Sequence, residues 1–215
     1  MITKIKGDVA YMIIGKWNKS VILTYIGLLI SIFGIYTCFC NENGINIAMS
    51  CLITAGICDL FDGVIARKCK RNNEEKNFGI QLDSLVDAIN FIAFPIIIFL
   101  KMELNLWYNI IAFGIFSICG IARLAYFNIT IENNDTPIKY YKGLPVTYSA
   151  MIFPISYLLK NIMTLDTFKK TYTLIILIVS ILNILNIKIA KPKGIAYILF
   201  SILAIVMLIL YLGVL

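Results

Sequence analysis

Residues 59–87 read DLFDGVIARKCKRNNEEKNFGIQLDSLVD. Asp59 and Asp62 close one long apolar run; Asp83 and Asp87 open the next. A charged side chain at the centre of a bilayer costs roughly 2.5–3.5 kcal/mol on insertion scales, so a carboxylate kept inside an apolar run marks function by default. Six of the chain's twelve acidic residues lie in this one stretch, and four of them are these aspartates. Successive residues of a helix turn by about 100°. Asp59 and Asp62 therefore share a face, together with Gly63 and Ala66. On the following helix Gly79, Asp83 and Asp87 stack at i, i+4 and i+8. A short link makes the two helices antiparallel neighbours, so the four carboxylates can converge.

The composition around this stretch fixes the class. Of 215 residues, 60% are hydrophobic and 14% charged, and the mean hydropathy is +0.87. Soluble domains carry about 25% charged residues. The expected fold is all-α, a polytopic membrane helical bundle forming one domain over 20–215. The preceding residues 1–19 mix lysines with apolar residues and show no small-residue cleavage site. They read as a retained amphipathic helix on the membrane surface.

A spanning helix needs about 20 apolar residues. Seven runs qualify as candidates: 21–40, 45–66, 78–100, 106–127, 144–159, 172–187 and 194–215. Lysine and arginine concentrate before the first run, in 67–76, at Lys139 and Lys142, and at Lys188, Lys191 and Lys193. The alternate connections hold only Lys101, Lys160, Lys169 and Lys170. By the positive-inside rule the amino terminus and the aspartate end face the cytoplasm, in the cell membrane. The net charge of +7 sits in short loops, which suits an anionic membrane face or substrate rather than nucleic acid. The six cysteines lack metal-ligand spacing and read as small apolar packers. The chain has no histidine, which excludes mechanisms built on an imidazole base or nucleophile.

Four carboxylates brought together in low dielectric repel one another unless protons or cations compensate them. Oxygen-only ligands suit Mg²⁺, Mn²⁺ or Ca²⁺. Two such ions can clamp a pyrophosphate for in-line phosphoryl transfer, with one carboxylate acting as general base. Gly63, Ala66 and Gly79 would let a nucleotide approach the backbone, and Arg67 and the basic loop at 67–76 would meet its charge. The rival reading is a cation or proton transporter, which also uses intramembrane carboxylates. The polar residues available for a continuous path, Thr24, Thr37, Asn90 and Asn183, are scattered.

These residues resemble the signature of the CDP-alcohol phosphatidyltransferase family, D-x2-D-G-x2-A-R, a spacer, then G-x3-D-x3-D. It stands complete here as Asp59, Asp62, Gly63, Ala66, Arg67, Gly79, Asp83 and Asp87. The resemblance implies a six-helix core, usually dimeric, with a polar cavity facing the cytoplasm. It implies two divalent cations, Mg²⁺ or Mn²⁺, held by Asp59, Asp62, Asp83 and Asp87. Asp87 is implied as the base on the attacking alcohol, and Asp62, Gly63, Ala66, Arg67 and Gly79 as nucleotide contacts. The spacer holds eleven residues where many members have about eight. Its texture, with ARLAYFN at 122–128 and YYKGLPVT at 140–147, resembles the phosphatidylserine synthase branch. That branch implies CDP-diacylglycerol, or an ether-lipid analogue, and L-serine as substrates. Arg123 and Lys142 are the candidate contacts for the acceptor. The same chemistry with glycerol 3-phosphate or inositol phosphate is the alternative. The N-P-x2-T-like opening of many relatives is WNKSVILT at 17–24 here, without the proline, and Asn18 and Thr24 stay outside the expected site. The last run, 194–215, reads as additional to the family core.

Overall fold

The computed structural model of the chain describes residues 4–5, 8–9, 15–132, 140–190, 192 and 194–213. Helix α1 (Ile22–Cys40) follows a 3₁₀ turn at Lys19–Val21, which Asn18 caps by accepting from the Ser20 amide at 3.1 Å. Helix α2 (Gly44–Lys68) returns beside it. The pair packs closely because glycines face small side chains: a Cβ at Gly34 would stand 2.8 Å from Cβ of Cys51, and one at Gly27 3.3 Å from Cβ of Cys58. Close approach through small residues is how helices associate where no hydrophobic effect drives them together. Cys51 and Cys58 thus act as packers, and no disulfide forms among the described cysteines.

Helix α3 (Asn73–Ala88) starts sharply. Asn72 accepts from the Glu75 amide at 2.8 Å and Glu75 accepts from the Asn72 amide at 2.9 Å, a reciprocal capping box. A π turn at Ile89–Ala93 joins α3 to α4 (Phe94–Lys101). Pro95 explains the change of pitch, since it has no N–H to give the carbonyl of Phe91 four residues back. That carbonyl instead accepts from the Ser149 hydroxyl at 3.1 Å. Ser149 is 1% exposed, so Ser149→Ala strands a buried carbonyl. We expect it to cost about 1–3 kcal/mol, read as a melting temperature several degrees lower in detergent, with Ser149→Thr milder.

Helix α5 (Trp107–Glu132) leads towards β3 (Tyr140–Lys142), which pairs antiparallel with β4 (Lys188–Ala190). Between them run α6 (Ser149–Tyr157) and α7 (Leu165–Ile184), and α8 (Ile195–Gly213) ends the described chain. Among the described residues, six helices are long and apolar enough to cross a membrane: 19–40, 44–68, 73–101, 107–130, 165–184 and 195–213. Large apolar side chains such as Leu29, Phe39, Ile118 and Ile195 cover their outer faces. The chain is an integral membrane protein with an all-α fold.

The expected run at 144–159 is not a long helix. It folds as nine-residue α6 flanked by 3₁₀ turns at Val146–Tyr148 and Leu158–Asn161, with Pro154 inside. Hydroxyls serve the backbone around this proline: Tyr172 donates to the Phe153 carbonyl at 3.0 Å and Tyr211 to the Pro154 carbonyl at 2.6 Å. The segment still carries the chain between the two ends of the bundle. Tyr148 lies beside the aspartates, whereas Lys169, just beyond the segment, pairs with Glu103 in the α4–α5 connection at 3.0 Å. The expected run at 172–187 begins earlier, because Thr164 caps α7 by accepting from the Thr167 amide at 3.4 Å.

Among the described residues of 1–19 there is no amphipathic helix. Lys4–Ile5 (β1) and Asp8–Val9 (β2) form a two-residue antiparallel pairing; the remainder of that expectation at 1–3, 6–7 and 10–14, with Lys139, Lys191 and Lys193, lies outside the described residues. The apolar core sits in the half of the bundle remote from the aspartates. There the Phe99 ring meets Phe153 edge-on at 4.8 Å and Tyr172 at 5.6 Å. This interlocked aromatic base leaves the opposite half free to hold a polar cavity.

Candidate active site

A cavity of about 350 Å³ opens where the carboxyl end of α2, the second half of α3, the later turns of α5, and β3 converge. All four aspartates line it, as do Gly63, Ala66, Arg67, Gly79 and Arg123. Helical phase does the positioning. Asp59, Asp62 and Gly63 share one face of α2, while Gly79, Asp83 and Asp87 share one face of α3. Asp59, Asp83 and Asp87 each present a carboxylate oxygen, all within 4.8 Å of one another. Asp62 completes the group: its carboxylate is within hydrogen-bonding reach of Asp83 and also accepts from the Thr24 hydroxyl at 3.2 Å.

Such a set is a fit for hard divalent cations. Carboxylates in mutual contact need positive charge between them, and the donors are all oxygen, as Mg²⁺ or Mn²⁺ prefers. The cluster could hold a metal ion.

Depth orders the site. Asp87 and Arg123 are each 7% exposed and form its inner end, whereas Arg67 is exposed near the mouth. Arg123 is held by rings: its guanidinium carbon lies 5.0 Å from the centre of Phe127 and 5.8 Å from that of Tyr141. It interacts electrostatically with Asp87, Asp59 and Asp83, yet no carboxylate lies within 4 Å of its nitrogens among the described residues. Its Nε is buried without a hydrogen-bond partner. A buried fork of this kind is suited to a planar anion such as a carboxylate.

Lys142 stands elsewhere. It is exposed, and its ammonium donates to the Tyr126 hydroxyl at 2.9 Å, outside the cavity. Strand alternation is the cause: neighbouring side chains of β3 point to opposite faces, and Tyr141 takes the inward one. Burial pushes the Tyr141 phenol up to about 12, so it keeps its proton at neutral pH.

Residues beyond those expected from sequence also line the cavity: Ser20, Thr24, Tyr141, Tyr148 and Tyr197; of the basic loop expected to meet the nucleotide's charge, Arg71 joins Arg67 there. Thr24 had a readable signal, since it ends the WNKSVILT opening, but the missing proline hid it. Asn18 is occupied with structure; its side-chain amide donates to the Lys70 carbonyl at 3.2 Å. Three residues before Asp87 on α3, Ser84 donates to Asn128 at 2.8 Å and ties α3 to α5.

The family described as CDP-alcohol phosphatidyltransferase matches this chain over residues 17–213. The last helix therefore falls within the matched range rather than outside it. Among curated proteins, the chain is 31% identical over 121 residues to the CDP-diacylglycerol–serine O-phosphatidyltransferase of Saccharomyces cerevisiae, covering 53% of this chain and 43% of that protein. It is 31% identical over 135 residues to the archaetidylserine synthase of Methanothermobacter thermautotrophicus, covering 62% and 52%. A CDP-diacylglycerol–serine O-phosphatidyltransferase of Bacillus subtilis is 31% identical over 118 residues, covering 53% and 61%. The match thus spans about half the length of these relatives.

Proposed function

Because the chain belongs to the CDP-alcohol phosphatidyltransferase family, we propose that it transfers a phosphatidyl group from CDP-diacylglycerol, or its ether-lipid counterpart, to L-serine. The observation that carries this reading is the inner end of the cavity. Asp87 and the unpaired fork of Arg123 stand together there, one suited to accept a hydroxyl proton and the other to bind a carboxylate. Serine carries both the hydroxyl and the carboxylate that such a pair of groups would engage. The turning away of Lys142 favours serine over phosphorylated acceptors, which call for more fixed positive charge. The named activities of the relatives point the same way.

In this reading the serine hydroxyl oxygen bonds to the lipid-side phosphorus of the donor. The bond from that phosphorus to the oxygen of CMP breaks, CMP departs with the electron pair, and the hydroxyl proton passes to Asp87. Asp59, Asp62, Asp83 and Asp87 would hold Mg²⁺ or Mn²⁺, which when bound supplies electrostatic stabilisation of the diphosphate. Gly63, Ala66 and Gly79 leave the backbone approachable, and Arg67 meets the nucleotide's charge at the mouth. Thr24 orients Asp62. A small apolar recess between α2, α6 and α8 shares Asp59 and Tyr148 with the cavity. It gives the lipid part of the donor a place to lie. The basic residues at this end, including Arg67, Lys68, Lys70 and Arg71, support a reading in which it faces the cytoplasm from the cell membrane. The homodimer usual in the family belongs to the same proposal, and the mass of the detergent-solubilised protein checks it.

Purified protein should release CMP from CDP-diacylglycerol only when serine and Mg²⁺ or Mn²⁺ are both present. EDTA should abolish release and excess Mg²⁺ restore it. Mass spectrometry should identify the product as the serine lipid. Release supported by glycerol 3-phosphate or inositol phosphate, and not by serine, overturns the assignment.

A further inference from the structure

A second arginine faces the nucleotide end of the cavity from outside the eight-position signature. Arg71 belongs to the spacer between α2 and α3, and the backbone is anchored on both sides of it. The Lys70 carbonyl accepts from Asn18 at 3.2 Å, and Asn72 is locked with Glu75 in the capping box. The backbone at Arg71 is therefore held on both sides, and its side chain lines the cavity. Its Nη1 lies 3.7 Å from where a Cβ on Gly79 would stand; Nη1 of Arg67 lies 3.6 Å from the corresponding point on Gly63. Two guanidiniums thus cover the two glycine gaps of the facing helices. The spacer's own carboxylates are engaged elsewhere: Glu74 pairs with Lys16 at 2.9 Å and Glu75 serves the cap. Among the described residues none pairs with Arg71. An independent sign of a ligand lies on the same wall. Ser20 is 3% exposed, lines the cavity, and its hydroxyl has no hydrogen-bond partner. Its neighbour Val21 packs against Gly79.

We propose that Arg71 and Ser20 together bind the phosphate of the nucleotide, as a donor pair that the spacer and the first 3₁₀ turn add to the family signature. The proposal rests on the reading of the donor as CDP-linked. A guanidinium gives two donors to a phosphate in one plane, and a hydroxyl supplies a third. The contact is made to the phosphate that leaves, so it acts on donor and on product CMP alike and spares the serine end, where Arg123 stands.

Calorimetric titration of the purified full chain in detergent with CMP and with cytidine, in Mg²⁺, tests this. Arg71→Gln should weaken CMP binding about tenfold and leave cytidine binding unchanged; Arg71→Lys should recover part of the loss, and Ser20→Ala should weaken CMP binding about threefold. Unchanged CMP affinity in Arg71→Gln, or equal losses for CMP and cytidine, overturns the proposal. The wild-type titration separates the two readings. Protein that binds CMP but makes no serine lipid refutes the acceptor assignment alone, whereas protein that binds neither ligand refutes the donor reading and this proposal with it.

Discussion

Replacing Asp87 by asparagine should lower CMP release by about a hundredfold to ten-thousandfold, the range over which a positioned general base contributes, while CMP still binds. Asparagine keeps the shape of the side chain and removes its capacity to take a proton. The position is the most enclosed of the four aspartates and stands on the same face as Asp83, one turn deeper along α3. The group that accepts a proton from an alcohol must lie at the acceptor end, and the arrangement of Asp87 beside Arg123 meets that demand. Asp62 lies nearly a turn closer to the carboxyl end of α2 than Asp59, beside Asp83 and Thr24. Its loss should act differently: Asp62→Asn should raise the Mg²⁺ concentration needed for half-maximal rate, and added Mg²⁺ should restore part of its activity. Added Mg²⁺ should restore nothing to Asp87→Asn. The measurement is initial CMP release against Mg²⁺ concentration for both variants, with melting temperature as the check on folding. Near-normal turnover in Asp87→Asn would remove it from the role of base. Recovery of that variant by Mg²⁺ would make it a cation holder only.

Much of this site was legible because helices report their faces through spacing. Two aspartates three apart and two four apart, on runs joined by a short basic link, require a converging cluster, and the structure brings all four to one cavity. Sequence fell short where position depends on contacts distant along the chain. Lys142 and Tyr141 are neighbours, and a charge invites the functional assignment. Only the pairing of β3 with β4, 48 residues away between Tyr141 and its partner Ile189, decides that the tyrosine points inward. Arg71 lay in a basic loop expected as a whole to meet the nucleotide's charge, but the positive-inside rule accounts for that run equally well, and spacing alone does not single out one of its cations; its backbone neighbours are held by Asn18 and the Asn72–Glu75 cap. The segment at 144–159 has the hydropathy of a span. Pro154 and the flanking 3₁₀ turns shorten its α-helix, and hydroxyls from α7 and α8 make the kinked form tolerable. None of those donors is near it in sequence.

The second large effect should come from Arg123→Gln, expressed in the choice of acceptor. Hydrogen bonds to a charged group are worth about 1.5–3 kcal/mol, so losing the guanidinium should reduce kcat/KM for serine roughly tenfold to a hundredfold, mostly through KM. Glutamine keeps a polar donor but neither the charge nor the fork. Ethanolamine serves as the discriminating acceptor, since it offers the hydroxyl and the amine of serine without the carboxylate. If Arg123 binds that carboxylate, the wild type should strongly prefer serine, and the variant should lose this preference by lowering the rate with serine alone. A merely structural arginine gives another pattern. Its guanidinium packs on Phe127 and Tyr141 and lies close to three aspartates. Removing it for structural reasons would disturb the whole inner end and slow both acceptors together. Equal losses with serine and ethanolamine would therefore reject the carboxylate contact, and a fall confined to serine would establish it. Arg123→Lys sharpens the distinction: it keeps a charge among the rings but not the planar fork, so serine binding should recover only in part.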